Sequence, residues 1–68
     1  MKYPRYRESD SKVQEMAHEA LADEHEGIDF YTRMLAACKD PNHRAMISEA
    51  LADERKHAGF MEKIAKGS

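Results

Sequence analysis

Three residues of this chain combine chemistry with a costly location: Glu24, Glu54 and His57. Glu24 closes the segment EALADE at 19–24, Glu54 closes a second copy of it at 49–54, and His57 follows three residues later. All three fall on series of apolar residues with helical spacing. An ionised carboxylate in apolar surroundings costs several kcal/mol unless it is paired or neutralised by a cation. Two carboxylates and one imidazole supply hard anionic oxygens and a borderline nitrogen, a donor set for divalent metals of the iron or manganese type. Thiolates are missing from the set, which argues against structural zinc. Three blander readings stand beside this one: a Glu–His pair satisfied by hydrogen bonding, a chance Glu-x-x-His, and EALADE copies that only reflect good helix formers. His18, His25 and His43 lack a carboxylate partner at a matched level and read as solvated. Met16, Met34, Met46 and Met61 read as core or interface filler.

The elements that must place these residues are legible from periodicity. One series runs Val13, Ala17, Ala20, Glu24, Gly27, Tyr31, Met34, and a second runs Ile47, Ala50, Glu54, His57, Met61, Ile64. Both step by alternating threes and fours, the stripe of an amphipathic helix packed in a bundle. The first helix is expected over about 10–38, with Ser11 and Gln14 at capping-box spacing and Ser9 as a competing cap. The break falls at CKDPNH, where Asp40 suits an N-cap and Pro41 the first helical position. The second helix is expected over 41–65, so residues 10–66 form an antiparallel hairpin behind a flexible tail at 1–9.

At 1.5 Å per residue, Glu24 lies roughly 22 Å before the turn and Glu54 and His57 roughly 20–24 Å after it. An antiparallel hairpin therefore brings all three to one level, with Glu54 and His57 on one face. Two helices leave half of each stripe in water, so pairing of hairpins into a four-helix bundle is the expected completion. A two-fold axis near that level would gather four carboxylates and two imidazoles, enough for two metal ions.

Composition narrows the function classes. Thirteen acids against eleven bases give a net charge of −2, without the basic excess of a nucleic-acid binder. The basic stretch MKYPRYR is short and reads as a solvated tail. No apolar run is long enough for a membrane span, and no signal peptide is evident. A single cysteine, Cys38, excludes an intrachain disulfide and suits a reducing cytoplasm.

The stretch ADEHEGIDFY, with DPNHRAMISEALADERKHAGFMEKI after it, resembles the rubrerythrin-like branch of the ferritin-like superfamily. It is most similar to the encapsulated ferritins, short two-helix chains that assemble as dimers and larger rings. The likeness covers roughly residues 15–64. It implies Glu24, Glu54 and His57 as ligands of two irons at a homodimer interface, in a dimer or a higher even-numbered oligomer. Manganese or another divalent metal is the alternative occupant. Tyr31 matches the tyrosine near that family's metal centre, and Asp23 and Glu26 match an outer acidic pair that takes up metal, with ordinary solvated charges as the alternative reading of that pair. Phe30 departs from the family's frequent Trp, and Asp23 from its usual Glu. The implied activity is a ferroxidase that oxidises Fe(II) to Fe(III) with dioxygen for storage or detoxification inside an encapsulin shell. The family's C-terminal targeting peptide has no match in AKGS. Rival functions are a rubrerythrin-like di-iron peroxidase or oxidase, for which no rubredoxin-like module is present, a hydroxylase, and a non-catalytic helical oligomerisation module.

Overall fold

The computed structural model describes residues 4–67, with side chains over 11–67. It is an antiparallel pair of helices, α1 (Pro4–Ala37) and α2 (Pro41–Lys66), measuring 54 × 18 × 12 Å. Among the described residues there is no strand, as the period of the apolar stripes requires.

The connection is three residues long, and its chemistry is local. Asp40 takes an extended conformation and its carboxylate accepts from the backbone N–H of Asn42 at 2.8 Å and of His43 at 3.1 Å. That satisfies two of the donors a helix start leaves unpaired, while Pro41 has no N–H to orphan. The end of α1 has no basic residue in its last turn. The cation comes from the other helix instead: Arg44 Nη1 donates to the carbonyls of Leu35 at 2.6 Å and Cys38 at 2.9 Å. A positive group there satisfies orphan carbonyls and suits the negative end of the α1 dipole. At the far end Gly67 adopts the left-handed conformation (φ 80°) and donates to the carbonyl of Ile64, closing α2.

Helix ends at 37 and 66 lie within one residue of expectation, but the start of α1 does not. The helix runs on through Ser11 and Ser9 to Pro4, so neither serine is its cap. Proline is favoured at a first helical position, and the Arg and Glu residues after it are good helix formers, so nothing in that segment stops the helix. Of the tail expected over 1–9, residues 4–9 are therefore helical, and 1–3 lie outside the described residues.

Small side chains let the two helices approach. Ala17, Leu51 and Ala58 are buried, and among the described residues no other side chain is. Around them Ala20, Leu21, Ile28, Leu35, Ile47, Ala50 and Ala65 are half-buried. The hairpin leaves one apolar face uncovered. Near the turn Met34, Cys38, Met46 and Ile47 line a hollow, and at the opposite end Val13, Met16, Ala20, Met61 and Ile64 line another. By three- and four-residue steps both hollows lie on the face that carries Glu24 and His57. The exposed surface is 5434 Å², whereas a compact 7.8 kDa monomer exposes about 4,400 Å². The open face is one source of that excess. The observed architecture is thus an all-α hairpin with an unfinished core.

Candidate metal centre

Midway between the two hollows, α1 contributes Glu24 and α2 contributes Glu54 and His57. One ligand atom from each lies within 4.8 Å of the others, the only such group of three or more acids, histidines or cysteines among the described residues. His57 Nδ1 stands 4.0 Å from Glu24 Oε1. The level-matching expected from helical rise is therefore correct for all three. The Glu-x-x-His spacing puts Glu54 and His57 on the same side of α2, and the three-residue turn sets the register that brings Glu24 opposite.

Burial is less complete than the stripe pattern implies. Glu24 and Glu54 are half-buried, while the His57 side chain keeps 54% of its surface exposed against 18% for Glu24. A pair of helices can cover only the sides of these residues that face the partner helix. The remaining side opens onto the uncovered apolar face.

The electrostatics of the group are those of two facing carboxyls. The Glu24 carboxyl is held above its ordinary value, first by side-chain hydrogen bonding to Glu54, then by burial and the Glu54 charge. Asp23 adds to the rise and His57 opposes it. Two facing carboxyls are stabilised by a shared proton, and a cation between them serves the same purpose. Ligands about 2.1 Å from one ion lie about 3 Å apart at right angles and about 4.2 Å apart across it. The three donor atoms, within 4.8 Å of one another, stand at the outer end of that range, so the side chains must close in to share one ion. Two carboxylates and an imidazole per chain are donor types that could hold an iron or manganese ion, with positions left open for other ligands.

Three other residues singled out from sequence border this group. Tyr31, half-buried, lines an open cleft together with Glu54, Gly27, Asp23 and Glu26. Asp23 and Glu26 are exposed on the cleft's outer side and do not join the three-residue group. Phe30 packs edge-on against Tyr31, with ring centroids 6.0 Å apart, and carries Arg33 over its face at 5.8 Å. Arg33 also pairs with Asp29 at 3.3 Å. His18, His25 and His43 are exposed.

Two neighbours escaped the sequence reading as partners of the site. Phe60 sits beside the imidazole of His57, with ring centroids 6.5 Å apart. Gly27 lies under the Glu54 carboxylate. A signal for Gly27 existed, since a glycine inside a helix costs about 1 kcal/mol relative to alanine and asks for a reason. Comparison of the chain with protein-family models, with curated proteins and with solved structures gave no match. What the fold and site define is an all-α hairpin with an acid–imidazole cluster on its open face.

Proposed function

We propose that the chain is a ferritin-like ferroxidase subunit. Two copies face each other across the open groove and hold two iron ions between them while Fe(II) is oxidised by dioxygen. The observation that carries this reading is the convergence of Glu24, Glu54 and His57 within 4.8 Å on the one apolar face the hairpin leaves uncovered. A single copy offers two carboxylates and one imidazole, and a two-fold pair offers four and two, the set described for di-iron carboxylate bundles. The uncovered face supports the pairing, because apolar side chains left in water are stabilised when a second copy covers them.

In balance, two Fe(II) ions lose one electron each. One dioxygen molecule takes both electrons with two protons and leaves as hydrogen peroxide. Bound iron supplies the electrons and open positions where dioxygen is reduced. The chain's own residues do the rest. Glu24 and Glu54 offset the cation charge and, as anionic donors, favour the Fe(III) product. His57 fixes a neutral donor on the same helical face as Glu54. The two apolar hollows, once covered by a partner, exclude water from either side of the centre. Tyr31 stands at the rim, on the cleft wall shared with Glu54. The resemblance to encapsulated ferritins further implies delivery of Fe(III) to a mineral store in an encapsulin shell, which co-expression with such a shell protein tests. No described helix is long and apolar enough to cross a membrane.

The direct test is Fe(II)-dependent oxygen consumption by the wild type and by Glu24→Ala, Glu54→Ala and His57→Ala, with native mass measured alongside. Loss of turnover in each variant, with a wild-type mass that is an even multiple of the chain, is expected. Equal turnover in all four proteins refutes the assignment. Consumption of hydrogen peroxide in place of dioxygen turns the reading toward a peroxidase. An even oligomer that does not oxidise Fe(II) leaves a helical oligomerisation module.

A further inference from the structure

We infer that Gly27 is a positioning residue for Glu54: the space left by its missing side chain is the seat into which the Glu54 carboxylate folds. The inference rests on the reading of Glu24, Glu54 and His57 as a metal centre and concerns what sets the spacing inside it.

Glycine is the poorest ordinary helix former, yet Gly27 sits in the interior of α1, one turn after Glu24. Backbone conformation does not demand it, because the positive φ among the glycines belongs to Gly67. Space does. A β-carbon built at position 27 would lie 3.0 Å from Glu54 Oε2, 3.1 Å from its Cδ and 3.6 Å from its Cγ, its three nearest atoms all belonging to that one side chain. Gly59, in the interior of α2, gives the contrast: a β-carbon there meets nothing within 4 Å. Gly67, at the end of α2, has the Gln14 side chain against it, but of the two glycines inside the helices only Gly27 is approached this closely.

The consequence is geometric. With no side chain at 27, the Glu54 carboxylate comes close to α1 at Gly27, one turn after Glu24. Alanine there pushes that carboxylate outward by a few tenths of an ångström while leaving every donor present. That shift takes up much of the ~0.5 Å within which ligands must be held at their productive positions. Position 27 thus sets how closely the two acids of one chain approach, without touching the ion.

The experiment uses the full chain, with Co(II) as a spectroscopic probe of metal affinity and urea unfolding in chelator for the metal-free protein. Gly27→Ala is compared with wild type, and both are repeated with Glu54→Ala. Expected are Co(II) binding about tenfold weaker in Gly27→Ala, the low end for losing a group that orients a ligand, and metal-free stability that does not fall. In the Glu54→Ala background alanine at 27 should stabilise the metal-free chain more than it does beside Glu54, because no carboxylate has to move. Unchanged Co(II) affinity, or an equal effect of Gly27→Ala on stability in both backgrounds, overturns the inference. A wild-type chain that takes up no Co(II) defeats the metal reading by itself. The metal-free comparison then still decides whether Glu54 is seated on Gly27.

Discussion

Met46 offers a quantitative test of the open face. It lines the hollow near the turn and is 62% exposed in the single hairpin. Full burial of a methionine is worth about 2 kcal/mol, so covering the exposed part is worth about 1.2 kcal/mol. A two-fold interface counts the residue twice, giving about 2.5 kcal/mol per dimer. At about 1.4 kcal/mol per tenfold change, Met46→Gln should weaken association by about sixtyfold. Glutamine has nearly the helix propensity of methionine, so the hairpin itself should be unaffected. Sedimentation equilibrium over a concentration series reads the association constant, and circular dichroism at the same concentrations checks that helix content is unchanged. An association constant within about threefold of wild type would show that this hollow is not covered by a second copy, since the structural argument requires a loss well above that.

Further outcomes follow from the same structure. Because the Glu24 carboxyl is held above its ordinary value in the folded chain, the folded state keeps a proton that the unfolded chain has released in the window just above that ordinary value. The metal-free hairpin should therefore be most stable below that window and lose stability as pH rises through it. Urea midpoints recorded in chelator should show this slope, and Glu24→Gln should flatten it. Asp40→Ala removes the acceptor of two backbone N–H groups and should cost about 1 kcal/mol. In a chain this short that lowers the thermal midpoint by about 4–8 °C.

Much of the architecture could be read from local chemistry. Asp40 and Pro41 announce the start of α2 because capping and the missing proline N–H act within one turn of helix. The stripes announce the hairpin because helical period is a property of residue order. The start of α1 was misread for a related reason: Ser11 and Gln14 have the spacing of a cap, but a cap forms only where the preceding residues leave the helix, and here they continue it to Pro4. The Arg44 clamp on the carbonyls of Leu35 and Cys38 had no such sign, because it joins two helices whose approach must be known first.

The candidate site divides along the same line. Residue order alone determined that Glu24, Glu54 and His57 share one level, since helical rise is constant and the turn is short. Only the tertiary structure decided how they meet: that the imidazole of His57 remains largely exposed, and that the carboxylate of Glu54 leans onto the bare backbone at Gly27. Rise along a helix is fixed by backbone hydrogen bonds that every residue makes. The separation of side-chain atoms depends instead on how closely and at what rotation two helices pack, which no single segment encodes.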